Sequence, residues 1–178
     1  MRQWGVMVVV ACLVAAGCGS DSPTTPSNTN PNTVTFTATL LPSNELPTAI
    51  AGAEAAGRGT AIITFNLTRN TAGAIQSGTV DFHYDLTAFP AGTTITASHI
   101  HTGSSTAFGA VLVSTGQSTA SALGMPAGAG SWETKAVTGQ GTDAATLQAI
   151  IDNPSGYYFN VHSTVNPGGV ARGQLVKQ

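Results

Sequence analysis

Residues 34–40, Val34-Thr35-Phe36-Thr37-Ala38-Thr39-Leu40, alternate apolar and polar side chains without a break. Such alternation is typical of a β-strand with one face in the core and the other toward water. Residues 59–67 have the same character, and alternate apolar side chains over residues 80–86 share one face of a third strand. Five further strands are predicted over residues 95–101, 110–113, 131–137, 157–162 and 170–176.

Turn signals separate these strands. Glycine follows Ala91, Thr102 and Thr115, and Pro167 precedes a Gly-Gly pair. Many short strands at near-regular spacing indicate an all-β fold. We therefore expect an antiparallel, Greek-key-like sandwich or barrel of about eight strands.

One short helix is predicted between the sixth and seventh of these strands. Thr142 or Asp143 can cap it, and Leu147, Ile150 and Ile151 form an apolar stripe at helical spacing. The Asn-Pro pair that follows ends the helix.

The composition limits the classes of function. The chain has 178 residues, enough for one domain, and only 8% of them are charged, with a formal net charge of −2. Basic residues form no stripe and do not alternate with aromatic residues, which argues against a nucleic-acid partner. The sequence also lacks a Gly-x-Ser-x-Gly elbow, a phosphate-binding loop and a pair of catalytic carboxylates, so a non-catalytic protein is favoured over an enzyme.

The first 17 residues have the pattern of an export signal. Arg2 supplies a minimal positive region, and the apolar stretch over residues 5–16 is too short to span a bilayer. Residues 14–18, Val-Ala-Ala-Gly-Cys, resemble the end of a bacterial lipoprotein signal, a resemblance that implies lipidation of Cys18. Cys12 follows a similar tripeptide but leaves a shorter apolar stretch, and an ordinary secretory signal is the remaining alternative.

This resemblance implies a protein exported to the cell envelope and held to a membrane by its N-terminal lipid. Gly19, rather than an aspartate, follows the lipidated cysteine, which in such lipoproteins implies the outer membrane. Residues 18–32 then form a flexible tether of mostly Ser, Thr, Asn and Pro, and residues 33–178 form the folded domain. With Cys12 removed and Cys18 lipidated, that domain contains no disulfide.

Three of the four histidines are candidate metal ligands. His99 and His101 lie on the same side of one predicted strand, about 6.6 Å apart along it. His162 lies on another strand, with Asn160 on the same face. If the strands are close, three imidazoles converge, as in copper and zinc centres with an open coordination position. The alternative is that the histidines only hydrogen-bond to one another and to turn backbone.

Arg172 is a lone base on the last predicted strand of a domain with little charge. Glu45, held between prolines in an extended segment, is its best candidate partner for a structural ion pair. The functional alternative is that Arg172 guides anions toward a metal ion. His83 lies between two aspartates on the polar side of its strand, which indicates a solvated face.

Taken together, these stretches resemble the CHRD domain, a family named after chordin and found in exported bacterial proteins. The resemblance covers residues 34–175 and implies an all-β domain without a settled activity. The matching stretches are Glu45-Leu46-Pro47, His99-Ile100-His101-Thr102-Gly103, Gly156-Tyr157-Tyr158-Phe159-Asn160-Val161-His162-Ser163 and Asn166-Pro167-Gly168-Gly169-Val170-Ala171-Arg172-Gly173-Gln174-Leu175.

A more distant resemblance is to the copper-zinc superoxide dismutase fold. It implies that His99, His101 and His162 are copper ligands and that Arg172 guides anions. The chain lacks the bridging histidine, the zinc-loop cluster and the cysteine pair of that family, which argues against dismutase activity.

Two functions follow from the sequence. The first is a cell-envelope lipoprotein that presents a CHRD domain as a non-catalytic binding or structural module, with the membrane and an unidentified envelope ligand as partners. The alternative is a copper- or zinc-binding protein with a three-histidine site and redox activity.

Overall fold

A computed structural model describes residue 1 and residues 31–178 of the chain. The described residues form two antiparallel sheets, several short 3-10 turns and one α-helix, α1 (Ala144–Asp152). The strands are β1 (Thr33–Leu40), β2 (Arg58–Arg69), β3 (Ile75–Thr87), β4 (Thr93–Thr102), β5 (Val111–Ser114), β6 (Leu123–Met125), β7 (Gly130–Val137), β8 (Tyr157–Ser163), β9 (Ala171–Gln174) and β10 (Val176–Lys177).

The first sheet has the order β10-β1-β2-β3-β7. Its alternating residues divide as the sequence predicts: Ile63 of β2 pairs with Phe36 on one side and Phe82 on the other, all on the inner face, whereas Thr37 and Ile62 face outward. The inner face is apolar and buried, because each strand contributes every second side chain to the core.

The second sheet has the order β5-β4-β8-β9, and β6 also pairs with β4. In the pairing of β4 with β8, Ile100 lies opposite Phe159, and both side chains are fully buried in the core. The Phe159 ring stacks on Phe82 of the first sheet with 5.9 Å between ring centroids. The two sheets therefore enclose one core, which confirms the all-β prediction as a sandwich.

The strand count differs from the prediction of about eight. The three-residue strand β6 contains a glycine and is too short to produce a recognisable alternation. The predicted strand over residues 170–176 is two strands, β9 in the second sheet and β10 in the first. The buried Leu175 lies between them, so the chain changes sheets there without interrupting its alternation.

The predicted helix is α1, and its cap is Asp143 rather than Thr142. The Asp143 carboxylate accepts a 3.0 Å hydrogen bond from the backbone N–H of Thr146. Leu147 and Ile150 are fully buried, and Ile151 is partly buried against the core. Residues 49–57, whose alanines suit a helix and whose glycines suit a loop, form a loop that contains one 3-10 turn, Ala53–Ala56.

The predicted signal, Cys18 and most of the predicted tether lie outside the described residues. Two tether residues, Pro31 and Asn32, are described and contact β2. The Asn32 carbonyl accepts a hydrogen bond from the Leu67 N–H at 2.7 Å, and the Pro31 carbonyl accepts one from Arg69 at 2.9 Å. Within the part of the chain that the structure describes, no helix has the length and apolar character needed to cross a membrane.

Candidate metal centre

The three predicted histidines converge on the outer face of the second sheet. His99 and His101 extend from β4 on the side opposite the buried Ile100, and His162 extends from the adjacent strand β8, where it pairs with Ala97. One ring nitrogen from each histidine lies within 4.8 Å of the other two. The ring of His99 is 5.0 Å from that of His162 and 5.6 Å from that of His101, measured between centroids.

Two of the rings are oriented by backbone carbonyls. The Nδ1 of His101 lies 3.1 Å from the Gly109 carbonyl, and the Nδ1 of His162 lies 3.0 Å from the Pro167 carbonyl. Because a carbonyl oxygen only accepts, each Nδ1 carries the proton. In the neutral imidazole each Nε2 is therefore left with a free lone pair, the state in which histidine binds a metal ion.

Among the described residues, the remaining contacts leave one buried ring nitrogen without a partner. The Nδ1 of His99 lies 3.2 Å from the Nε2 of His162, and the two form a hydrogen bond when His99 carries its proton on Nδ1. This nitrogen is the Nε2 of His101, which is buried and has no hydrogen-bond partner in the part of the chain that the structure describes. Two nitrogens bound to one zinc or copper ion at ordinary distances are at most about 4.1 Å apart. A pair of ligand atoms at the 4.8 Å limit would therefore have to approach by at least about 0.7 Å, and by about 1.4 Å for tetrahedral coordination.

The surroundings keep the three rings neutral. Burial, together with the charges that His162 and His101 would carry, lowers the pKa of His99 to about 4. Burial also lowers the pKa of His101 and of His162, against the carbonyl hydrogen bonds that raise both. Protons therefore compete weakly with a metal ion for these nitrogens at neutral pH.

Arg172 is buried, with 2% of its surface exposed, but its partners differ from the prediction. Its guanidinium donates hydrogen bonds of 3.1–3.3 Å to the carbonyls of Ser104, Ser105 and Ala107. Of the ion pairs found among the described residues, none joins Arg172 to Glu45 within 4.0 Å. These three carbonyls take up the guanidinium donors, so hydrogen bonds to a loop replace the predicted salt bridge.

Glu45 nevertheless lies within the electrostatic influence of Arg172. Burial raises the pKa of Glu45 to about 7, and the attraction of Arg172 lowers it only in part. Asn160 lies between His99 on β4 and Arg172 on β9 in the register of the sheet. A Cβ atom at Gly169 would lie 2.6 Å from the Asn160 amide nitrogen and 2.8 Å from a Glu45 oxygen, so this close approach requires glycine.

Sequence reasoning did not assign a role to Tyr158 or to Glu54. The Tyr158 ring stacks on His101 at 4.9 Å, and the Arg172 guanidinium carbon lies 4.1 Å from the centre of the same Tyr158 ring. Tyr158 lies two residues before Asn160 on β8 and so shares its face of the strand, which was the sequence signal that could have indicated a role for Tyr158. Glu54 is 4% exposed and accepts hydrogen bonds from Ser163 and Asn166, which lie far from it in sequence. No local pattern could have revealed those bonds.

His83 is separate from the three-histidine site. It lies on the outer face of the first sheet, where its Nε2 is 3.0 Å from an oxygen of Asp85 and its side chain is 39% exposed. The prediction of a solvated face is confirmed.

Comparison with known families and proteins gives one match. The CHRD domain model matches residues 36–175, a stretch that includes all three histidines together with Glu45, Asn160 and Arg172. No curated protein and no solved structure matches the chain. Because the matched residues make up most of the chain, it belongs to the CHRD domain family.

Proposed function

We propose that this CHRD domain binds one transition-metal ion through Nδ1 of His99, Nε2 of His101 and Nε2 of His162. The observation that carries the proposal is the buried Nε2 of His101, which has no hydrogen-bond partner among the described residues and belongs to a cluster whose ligand nitrogens lie within 4.8 Å of one another. A buried nitrogen lone pair without a donor costs free energy that a metal ion would recover. Binding requires that His99 transfers its proton from Nδ1 to Nε2.

Copper(II) is the preferred ion in this proposal, with zinc(II) second. Imidazole ligands suit copper, zinc, iron and nickel, and affinities for a given nitrogen site rise along the first-row series to copper(II) and fall again at zinc(II). Three protein ligands leave a further coordination position for water or a small ligand. Redox activity at a copper ion is part of this proposal only if that position admits an exogenous ligand.

The experiment measures copper and zinc bound to the full chain carrying Cys12→Ser and Cys18→Ser, so that no thiol competes for the metal. We expect close to one copper ion per chain after reconstitution and dialysis. His99→Ala, His101→Ala and His162→Ala should each lower the affinity by more than about 100-fold, because losing a ligand costs more than losing an outer partner. His83→Ala, which alters the exposed histidine of the other sheet, is the matched control and should bind normally.

A metal-free binding or structural module is the second candidate. It is favoured by the hydrogen bonds of His99, His101 and His162, which hold the rings in place without an ion. Copper binding that is equally strong in all three alanine variants, or absent from the starting protein, would support this candidate and reject the metal centre.

We also propose that the domain is displayed at the cell envelope on a lipidated Cys18, in the outer membrane. The apolar stretch ending in Val-Ala-Ala-Gly-Cys and the polar segment after it support this. In bacteria grown with labelled palmitate, the wild-type chain and Cys12→Ser should acquire label, and Cys18→Ser should not. Label that depends on Cys12, or on neither cysteine, would contradict the assignment.

A further inference from the structure

Two loops that carry backbone acceptors cover the three-histidine site. The first covering loop, residues 103–110, supplies the Gly109 carbonyl that binds His101. The second covering loop, residues 164–170, supplies the Pro167 carbonyl that binds His162. The position of each loop therefore decides which nitrogen of one histidine carries the proton.

A buried base holds the first covering loop. Arg172 donates to three carbonyls of this loop, those of Ser104, Ser105 and Ala107. The loop then returns closely to β4, since a Cβ at Gly109 would lie 2.2 Å from the Thr102 carbonyl. Bonds from a charged donor to several carbonyls are stronger than neutral ones, so the guanidinium sets the course of the loop just before the Gly109 carbonyl.

Arg172 also supports His101 from the side. Its guanidinium lies 4.1 Å from the centre of the Tyr158 ring, and that ring stacks on His101 with an angle of 8° between the planes. Arg172 thus contacts the ring against which His101 packs, and these contacts restrict rotation of the His101 ring.

A buried acid holds the second covering loop. One Glu54 oxygen accepts hydrogen bonds from the Ser163 hydroxyl at 2.8 Å and from the Asn166 amide at 2.5 Å. The same Ser163 hydroxyl accepts from the Asn166 N–H at 2.9 Å, which closes the turn that precedes Pro167. Glu54 therefore anchors both ends of the segment that brings the Pro167 carbonyl to His162.

Neither Arg172 nor Glu54 forms an ion pair in the described part of the chain. Among the described residues, no opposite charge lies within 4.0 Å of the Arg172 guanidinium or of the Glu54 carboxylate. Burying such a group is costly, and here hydrogen bonds to the covering loops compensate the Arg172 guanidinium and one Glu54 oxygen, while the other Glu54 oxygen has no partner among the described residues. Arg172 and Glu54 therefore contribute to the fold mainly by holding the two covering loops in place.

We infer that Arg172 and Glu54 are positioning residues that set the tautomers of His101 and His162, so that both rings present Nε2 to the centre of the site. The consequence for metal affinity rests on the proposed function. The tautomers themselves are a property of the metal-free protein and can be tested without it.

The test is nitrogen-15 NMR of the histidine rings in the metal-free full chain with Cys12→Ser and Cys18→Ser. The starting protein should carry the proton on Nδ1 of both His101 and His162. Glu54→Ala should give mixed tautomers at His162 and leave His101 unchanged, whereas Arg172→Met should do the reverse. Glu54→Gln, which keeps an acceptor for Ser163 and Asn166, should restore His162. Where Arg172→Met does not fold, Arg172→Lys tests the same effect at reduced size.

This crossed pattern distinguishes positioning from general destabilisation, which would disturb both rings together. Either no tautomer change in Glu54→Ala and the Arg172 variant, or equal changes at both rings, overturns the inference. Copper affinity should fall by about 10- to 100-fold in Glu54→Ala and Arg172→Met, as for other outer partners of metal ligands. If the tautomers follow the expected pattern and copper does not bind the starting protein, the metal proposal fails and the positioning roles stand.

Discussion

Single side chains define the chemistry of this domain because charged residues are scarce in it. Glu45 is 6% exposed, and one of its oxygens has no hydrogen-bond partner within residues 31–178. Burial therefore dominates its behaviour and raises its pKa to about 7, despite the nearby Arg172. Between about pH 4.5 and pH 7 the folded protein keeps a proton that the unfolded chain has released.

Replacing Glu45 by glutamine should remove this pH-dependent term. A raised carboxyl pKa contributes stability that is lost as the pH rises from about 4.5 through 7, and glutamine does not ionise. Glu45→Gln should therefore match the wild type near pH 4.5 and exceed its free energy of unfolding by roughly 1–3 kcal/mol at pH 8. Urea unfolding of the metal-free proteins at both pH values measures the difference. Glu133→Gln, on the exposed part of β7, is the control, and a constant difference across pH would contradict the prediction.

At the scale of elements, β9 carries the positioning residue Arg172 and also lies where the two sheets meet. Its Arg172 faces the outer side with Asn160, while Gly173 faces Phe159 on the inner side. A Cβ at Gly173 would lie 2.1 Å from the Thr39 carbonyl of β1. The absence of a side chain therefore allows β1 and β9 to approach each other where the two sheets meet.

Gly173→Ala should force these strands apart. We expect a loss of about 1–3 kcal/mol in the free energy of unfolding, the usual cost of overpacking against groups that cannot move aside. Gly124→Ala is the matched control, because Gly124 also lies in a strand but has no atom within 4 Å of its Cβ position. Urea unfolding compares the two variants, and equal midpoints would show that β1 and β9 can separate at little cost.

At the scale of the whole molecule, the core between the sheets supports the site on the outer face of one of them. Phe82 and Phe159 stack across the core, and the Tyr84 hydroxyl of β3 donates to Gln117 at 2.8 Å. The Gln117 oxygen also accepts from Ser98, which precedes His99 on β4. This buried network connects the first sheet to the strand that carries two of the three histidines. Without a disulfide in the described residues, packing and hydrogen bonds must hold that strand in place.

Local pattern was sufficient for most of the secondary structure, because strand alternation and a helix cap depend on residues a few positions apart. It therefore predicted β1 over nearly its full length, the helix near Asp143, and the common side of His99 and His101. The division of residues 170–176 between two sheets was hidden, since an alternating stretch looks the same whichever strand it pairs with.

The sequence by itself determined the strands, the family resemblance and which histidines share a side of their strands, because all of these depend on short-range spacing. Only the tertiary structure decided that His162 meets His99, 63 positions away, and that Glu54 reaches Ser163 and Asn166. Such contacts depend on strand order and on the paths of loops, which pair residues remote in sequence. The three-nitrogen cluster and its two anchors are therefore products of the folded sandwich.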